Sequence, residues 1–257
     1  MQLIIAGFHR SGTSLLTQLL HSAGLFVGDR LLDAKPSNPY GHFEDRDVLR
    51  IHRQILRRHG DNWLTPDTPY AFHIGADHWE EMRKFVADRD QKHSNWGFKD
   101  PRVCLFMGPW KYLMPDAKVV IVYRDPGECV RSLEARQAET YLNHPDRTPL
   151  QARLFNEPDH GLRLWESHNR ALVSFAREHE DDCLVMPFTQ LTENFPVVAH
   201  LNARFGADLE PLATDTVFDP KATSRRESPQ RVFDAEVGHR VEQTWAALTE
   251  LAARTAA

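Results

Sequence analysis

The chain has 257 residues, of which 41% are hydrophobic and 26% are charged, and its formal net charge is −5 at pH 7. This length can bury a large core within one domain, and this composition is typical of a soluble globular protein. The negative net charge argues against a broad nucleic-acid or membrane-surface interface, and no apolar run approaches the length of a transmembrane helix.

Three cysteines, Cys104, Cys129 and Cys183, are scattered along the chain. Their spacing matches neither a metal site nor a disulfide framework, so we expect buried, reduced thiols and a cytoplasmic location. The apolar residues 3–6 are too few for the hydrophobic region of a secretory signal peptide, and a basic residue follows them rather than precedes them. We therefore expect no export.

The first predicted element is a strand over residues 3–6, which runs into a turn between Gly7 and Gly12 and then into an amphipathic helix. The backbone N–H groups of such a turn, together with the positive end of the helix dipole, bind phosphate. A Walker A loop would carry a lysine where this chain has Thr13. The nearest cation is Arg10, so the sequence predicts a phosphate site outside the ordinary NTPase class.

Four segments of different character follow the first helix. Residues 28–41 are polar and predict a loop, and residues 48–56 predict a second amphipathic helix. The aromatic-rich residues 61–75 predict an irregular segment that either packs as a loop or forms a wall of a substrate cleft. Residues 76–89 carry mixed charges and predict a surface helix.

Two strands are predicted in the middle of the chain. The strand over residues 96–98 ends in a charged cluster, residues 99–102, in which Pro101 suits the first turn of a helix that continues to Trp110. Residues 118–123 form an uninterrupted, largely β-branched run, which is typical of a strand buried on both faces of a parallel sheet.

After this second strand comes Arg124, and a helix is predicted to begin near Pro126. Residues 139–160 are polar and predict an excursion on the surface. The remaining predicted elements are a long helix over residues 162–176, a strand over 184–186, a helix over 191–206, a basic loop over 215–231 and a closing helix over 237–252.

The repeated order of strand, loop and helix predicts an α/β fold, a three-layer, P-loop-type parallel sheet flanked by helices, in a single domain that spans residues 1–257. Ligands of such sheets bind at the carboxyl ends of the strands. Three charged groups follow predicted strands, namely Arg10, residues 99–102 and Arg124, so we expect them to converge on one site.

These residues resemble those of sulfotransferases that use 3′-phosphoadenosine 5′-phosphosulfate (PAPS). Residues 7–14 resemble the 5′-phosphosulfate loop of that family, in which a cation precedes Ser-Gly-Thr as Arg10 does here. Arg124, with Ser132 eight residues later on the following helix, resembles the pair that holds the 3′-phosphate. The basic segment with Arg225 and Arg226 resembles, more weakly, the segment that closes over the nucleotide.

Two features depart from the cytosolic small-molecule enzymes of the family: Arg10 replaces their loop lysine, and their central histidine has no counterpart. In both respects the chain is more similar to tyrosylprotein sulfotransferases and to a group of bacterial enzymes, which carry a glutamate base soon after the first helix. Glu44 occupies such a place. The cluster of residues 99–102 also resembles that of the bacterial group.

The resemblance implies that PAPS is the cofactor and 3′,5′-adenosine diphosphate (PAP) its product. The residues implied to bind it are His9, Arg10, Ser11, Gly12, Thr13, Ser14, Arg124, Ser132, Arg225 and Arg226. Those implied in catalysis are Glu44, Lys99, Arg10 and His42. Because a sulfuryl group carries less negative charge than a phosphoryl group, we expect that no metal is required.

Glu44 is the expected base for the acceptor hydroxyl, and Lys99 is expected to neutralise charge on the sulfuryl oxygens or the leaving phosphate. His42 and His9 are rival bases. A carboxylate such as Glu44 would also suit a helix N-terminus, as its neighbour Asp45 would. Lys99 would alternatively pair with Asp100.

The sequence therefore favours sulfuryl transfer from PAPS to a hydroxyl of a small-molecule, carbohydrate or lipid acceptor. The first alternative is a P-loop kinase that phosphorylates a small molecule, which the missing Walker lysine disfavours. The second is a nucleotide-binding protein without catalysis, which Glu44 and Lys99 disfavour. The acceptor is expected to be a small molecule or glycan with a hydroxyl, and the oligomeric state, a homodimer included, stays open.

Overall fold

The computed structural model describes residues 1–33, 41–60, 62–64, 73–143, 149–218 and 231–256. Within these residues the strands are β1 (Gln2–Ala6), β2 (Trp96–Lys99), β3 (Lys118–Tyr123) and β4 (Cys183–Pro187). They form one parallel sheet in the order β2-β1-β3-β4. The α/β fold with a parallel sheet is as predicted.

Alternate residues of β1, β3 and β4 enter one of two hydrophobic cores, one on each face of the sheet. In β1, Leu3 and Ile5 belong to one core while Ile4 and Ala6 belong to the other. Because both faces of the sheet are covered, the strand sequences are largely continuous apolar runs and do not alternate between apolar and polar residues.

The helices form the two outer layers. In chain order they are α1 (Thr13–Ser22), α2 (Arg46–Arg58), α3 (Ala76–Lys92), α4 (Met107–Leu113), α5 (Pro126–Asn143), α6 (Pro149–Asn156), α7 (His160–Glu178), α8 (Phe188–Thr192), α9 (Val197–Phe205) and α10 (Ala235–Thr255). Short 3₁₀ helices lie at Pro101–Leu105, Glu180–Asp182 and Thr214–Thr216. Side chains of α1, α8 and α9 pack in the core with Leu3, and those of the other α-helices pack in the core with Ile4.

The order of the strands places a topological switch point between β1 and β3. The chain passes from β1 to β2 on one side of it and then crosses to β3 on the other side. In open parallel sheets ligands bind outside the carboxyl ends of the strands at such a point. The glycine-bounded turn follows β1 and Arg124 follows β3, so both lie at this position.

Three predictions of secondary structure are wrong in detail. The single helix expected from Pro101 is a 3₁₀ helix followed by α4, because Phe106 has non-helical dihedrals (φ −127°, ψ 17°) between them. The helix expected over residues 191–206 is divided into α8 and α9 by Asn194, which has a left-handed φ of 63°, and by Pro196. Both interruptions are local, and neither changes the layers.

The third error concerns residues 139–160. Instead of a polar excursion, α5 continues to Asn143 and α6 follows, with Leu154 buried in the core. A single buried leucine in a polar segment is a weak signal, so the composition of the segment predicted a loop.

All three cysteines are buried and unpaired, as expected, and burial raises the pKa of each thiol to about 12. In the described ranges, no helix has the length and apolar character needed to cross a membrane.

Candidate active site

The turn after β1 packs closely against β3 and α8, and two glycines make this possible. A Cβ on Gly7 would lie 2.4 Å from the carbonyl oxygen of Val122, and a Cβ on Gly12 would lie 2.2 Å from the ring of Phe188. Gly12 also has a φ of 97°, which side chains rarely tolerate. We call residues 7–14 the phosphate loop.

The backbone of the phosphate loop prepares a site for an anion. The first backbone hydrogen bond of α1 runs from Leu16 N–H to the carbonyl of Gly12 (3.2 Å). The amides of Gly12 and Thr13 precede this bond, so they lack an intrahelical acceptor at the positive end of the helix dipole. Arg10 adopts a left-handed φ of 69° within the turn. The loop thus has the backbone donors that a phosphate requires.

Arg10 connects the phosphate loop to the two residues expected to hold a second phosphate. Its Nε donates to Ser132 Oγ at 2.9 Å, and its carbonyl accepts from Arg124 Nη1 at 3.4 Å. Burial, followed by the positive charges of Arg136 and Arg124, lowers the pKa of Arg10 to about 10. Arg10, Arg124 and Arg136 therefore concentrate positive charge where β1, β3 and α5 meet.

Arg124 is buried between three helices. Its Nε donates to Glu128 Oε2 at 2.7 Å, and its guanidinium lies 4.7 Å from the centre of the Phe188 ring. Its carbonyl accepts from Trp165 Nε1 at 3.2 Å. The sequence analysis missed Glu128 and Phe188. The spacing of four residues from Arg124 to Glu128 would have indicated the first contact, but no sequence signal marks the second.

A groove of about 560 Å³ opens beside Arg10 and Ser132. It runs along α5 past Arg131 and Ala135 to Phe155 of α6. This volume lies within the range typical of small-molecule sites, roughly 300–1,000 Å³. Cationic side chains, the ring of Phe155 and three glutamates, Glu128, Glu134 and Glu139, line the groove.

Glu44 and Lys99 meet beside the phosphate loop. Lys99 is almost fully buried at the end of β2, and its Nζ lies 3.0 Å from Glu44 Oε1 and 3.3 Å from Ser14 Oγ. Ser14 Oγ in turn donates to the carbonyl of His42 at 3.3 Å. Glu44 Oε2 has no hydrogen bond to the residues that the structure describes. One carboxylate oxygen is thus anchored, and the other can accept a proton.

The two carboxylates next to Glu44 have structural contacts. Asp45 caps α2 by accepting from the Asp47 N–H at 2.8 Å, and it pairs with Arg89 at 2.8 Å. Asp47 pairs with Arg30 at 2.6 Å. Glu44 lies ahead of the helix cap and faces Lys99 instead. The geometry therefore gives Glu44 surroundings that differ from those of both neighbours.

Asp100 belongs to a buried hydrogen-bond network that was not expected from the sequence. It pairs with Arg102 Nη1 at 2.7 Å rather than with Lys99, and its second oxygen lies 3.0 Å from His52 Nδ1. Trp110 Nε1 donates to His52 Nε2 at 2.8 Å. The imidazole therefore carries its proton on Nδ1 and donates it to Asp100. Burial alone would raise the pKa of Asp100, but Arg102 and His52 outweigh it and hold that pKa well below its usual range.

The two rival bases lie near this group in different surroundings. The His9 ring packs on Trp63 with 4.1 Å between centroids, and burial, then the charge of Arg102, holds the pKa of His9 well below its usual value. His9 is therefore neutral at physiological pH. His42 is buried and contributes its carbonyl to Ser14.

Two predicted site residues, Arg225 and Arg226, lie outside the described residues, as do the predicted loop residues 34–40, 61 and 65–72. The other predicted positions gather at one edge of the sheet, where Arg10, Arg124 and Ser132 form one group and Ser14, Glu44 and Lys99 form another. In the portion of the chain that the structure covers, no cluster of three or more His, Cys, Asp or Glu side chains could hold a metal ion.

Comparison with known proteins agrees with this architecture. A sequence model described as "Sulfotransferase family" matches residues 2–210. The structure is similar to the solved "Sulfotransferase Domain from the Curacin Biosynthetic Pathway", with a TM-score of 0.52 and 10% sequence identity over 93% of this chain and 96% of that chain. At that identity the likeness concerns the fold. A search of curated proteins returned no match.

Proposed function

The chain belongs to the sulfotransferase family, and from this premise we propose that it transfers the sulfuryl group of PAPS to an acceptor hydroxyl. The observation that carries the proposal is that Lys99 contacts both Ser14 of the phosphate loop and Glu44. A cation and a carboxylate with one available oxygen thus lie beside the place where the loop would hold a phosphosulfate.

When bound, PAPS supplies the sulfuryl group and a leaving phosphate. The phosphate loop would bind the 5′-phosphosulfate through the amides of Gly12 and Thr13, the side chain of Arg10 and the hydroxyl of Ser14. Such donors are effective because they are held in place before the reaction and aimed where negative charge develops. Arg124 and Ser132 would bind the 3′-phosphate, with Arg10 joining the two subsites by its hydrogen bond to Ser132.

Glu44 would act as the general base. Its Oε1 is held by Lys99, which orients the carboxylate, and Oε2 would accept the proton of the acceptor hydroxyl. Lys99, with its Nζ near both Ser14 and Glu44, would stabilise charge on the sulfuryl oxygens or on the leaving phosphate. His9 is a weaker candidate for the base because its lowered pKa makes it a poor proton acceptor.

The proposal is tested by comparing two ligands. PAP should raise the melting temperature of the protein by several degrees, since a ligand at 100 times its Kd adds about 2.7 kcal/mol to the free energy of unfolding. ATP with Mg²⁺ should raise it much less, because Arg124 and Ser132 would have no 3′-phosphate to bind. If ATP with Mg²⁺ stabilises the protein and PAP does not, the kinase alternative replaces this proposal.

The acceptor can be sought with labelled PAPS. A screen of hydroxylated metabolites should yield a sulfated product together with PAP, and both should form without added divalent metal. Adenosine 5′-phosphosulfate is a matched control donor because it has the same transferable group but lacks the 3′-phosphate. Equal rates with both donors would contradict the roles of Arg124 and Ser132.

A further inference from the structure

Three arginines lie in the same region as the Glu44 carboxylate and have no role in the proposed transfer. They are Arg53 of α2, Arg102 of the 3₁₀ helix and Arg136 of α5, which we call the arginine cluster. Glu44 acts electrostatically on both Arg53 and Arg136, and so does Arg102. Side chains from three elements that are distant in sequence therefore share one small region.

The arginine cluster extends from the nucleotide end of the site towards α2. Arg136 acts electrostatically on Arg10 of the phosphate loop, as well as lying near Glu44 and Arg102. Arg53, by contrast, interacts with Arg102, Asp100 and Glu44. Arg102 acts on His9 of the phosphate loop as well as on Arg53, so the arginine cluster connects the loop with α2 alongside Glu44, where an acceptor hydroxyl would bind.

Arg102 has a hydrogen-bond donor that nothing in the described chain satisfies. The residue is 6% exposed, its Nη1 is fixed on Asp100 at 2.7 Å, and its buried Nε has no hydrogen-bond partner among the described residues. A buried donor without an acceptor costs roughly 1–3 kcal/mol. His52 holds Asp100, and Trp110 in turn holds His52. The Arg102 guanidinium is thus kept in one position on Asp100, with its Nε as the donor for an incoming oxygen.

The charges of this region are also unbalanced. Among the described residues, Lys99 and the arginine cluster supply four cations, whereas the carboxylates that pair or interact with them are Glu44, Asp100 and Glu139. Arg53 forms no hydrogen bond or ion pair with any residue in the described ranges. Burial, then the charge of Arg102, lowers the pKa of Arg53, which agrees with an excess of positive charge around it.

We infer that the acceptor is itself an anion: a hydroxyl compound whose carboxylate, phosphate or sulfate group binds Arg102 and Arg53 while its hydroxyl lies at Glu44. This inference rests on the proposed sulfuryl transfer and names the class of acceptor that the transfer uses. Guanidinium groups suit such oxyanions because their N–H donors match the spacing of two oxygens. A neutral alcohol would leave Arg102 Nε unsatisfied.

The first test measures anion binding when the nucleotide site is full. Protein saturated with PAP is titrated with sodium sulfate by calorimetry, at an ionic strength held constant with sodium chloride. Arg53→Gln should weaken sulfate binding about tenfold or more, since a charge-assisted hydrogen bond contributes enough for a change of that size. Arg57→Gln, one turn further along α2, is the matched control and should leave sulfate binding unchanged.

Two results would overturn the inference while leaving the proposed function intact. One is PAP binding with no sulfate binding to the PAP-saturated protein. The other is sulfate binding that Arg53→Gln does not change, which would place the ion at the phosphate loop or reduce it to an adventitious ion only. If PAP itself does not bind, the proposed function fails first, and this inference fails with it.

The second test uses turnover. Hydroxy acids are compared with their own amides as acceptors, and hydroxy phosphate esters with the parent diols, by following PAP release. The anionic member of each pair that turns over should have the higher kcat/KM, and Arg53→Gln should reduce that preference while Arg57→Gln preserves it. Neutral acceptors that turn over as well as their anionic partners would overturn the inference without affecting the transfer reaction.

Discussion

The two ends of the candidate site are built in different ways. At the phosphate loop, the amides, Arg10 and the hydroxyls all lie within residues 7–14, and β1 and α1 hold them in place. At the Glu44 end, the carboxylate precedes α2, Lys99 ends β2, and Arg102 follows in a 3₁₀ helix. The backbone donors of this loop end therefore depend on local geometry, and long-range packing adds Arg124 and Ser132 to them through Arg10. The Glu44 end depends on long-range packing throughout.

Two buried carboxylates at the Glu44 end show what long-range packing achieves there. Asp100 has both oxygens bonded, one to Arg102 and the other to His52. Glu44 has one oxygen bonded to Lys99 and the other without a hydrogen bond in the described part of the chain. The fully bonded carboxylate can only hold its neighbours, and the half-bonded one can still accept a proton. The carboxylate that we propose as the base and the one that supports Arg102 thus differ in hydrogen bonding more than in burial.

The largest effect is expected from Glu44→Gln, which tests whether the two ends have separate tasks. Loss of a general base should lower kcat by about 10²–10⁴, while PAP binding should stay within about twofold because the phosphate loop does not need the carboxylate. PAP release with a known acceptor gives the rate, and calorimetry gives the affinity.

Asp47→Asn is the matched control for that variant, since it also removes a carboxylate near the start of α2. Its rate should remain close to that of the wild type. A normal rate in Glu44→Gln would transfer the role of base to His42 or His9 and would remove the contrast between Glu44 and Asp100.

A smaller effect is expected from Arg124→Ala, which tests the loop end alone. Loss of a charge-assisted contact of about 1.5–3 kcal/mol should weaken PAP by roughly 10- to 100-fold. Adenosine 5′-phosphate should be weakened far less, because it has no 3′-phosphate. Calorimetry with both ligands measures the two ratios, and equal weakening would show that Arg124 does not bind the 3′-phosphate.

The smallest effect concerns pH and the imidazoles beside Arg102. Burial, and to a smaller extent the charge of Arg102, lowers the pKa of His168 to about 4 against the opposing effect of its hydrogen bond to the Leu164 carbonyl. An unfolded chain would bind a proton near pH 6.5, so stability should be lost as the pH falls from about 6.5 towards 4. Between pH 7 and pH 5 this one group should lower the free energy of unfolding by about 2 kcal/mol.

Denaturant unfolding of the wild type and of His168→Leu at both pH values measures this difference. The wild type should lose about 2 kcal/mol more on acidification than the variant, which has no imidazole to protonate at that position. Parallel losses in both proteins would show that burial does not hold His168 neutral in the folded protein.

Much of the loop end could be predicted from the sequence. Gly7 and Gly12 bracket the turn between an apolar strand and a helix, and the loop conformation depends on residues that are neighbours in the chain. Arg124 and Ser132 could be assigned to the same edge because both follow a strand of recognisable composition. Arg10 was expected to converge with Arg124 on one site, and the spacing of Glu128 indicates its contact with Arg124, but no sequence signal marks Phe188.

The fold class was determined by the sequence itself, because strand burial and helix amphipathicity are periodic and local signals. The breaks at Phe106 and Asn194 were not, since each is a single residue that departs from helical dihedrals. The pairing of Glu44 with Lys99 and of Asp100 with Arg102 was decided only by the tertiary structure. Lys99, Asp100 and Arg102 are neighbours in the chain but Glu44 is 55 residues from Lys99, so the sequence allows several pairings. The packing of β2 against β1 and α1 selects one of them.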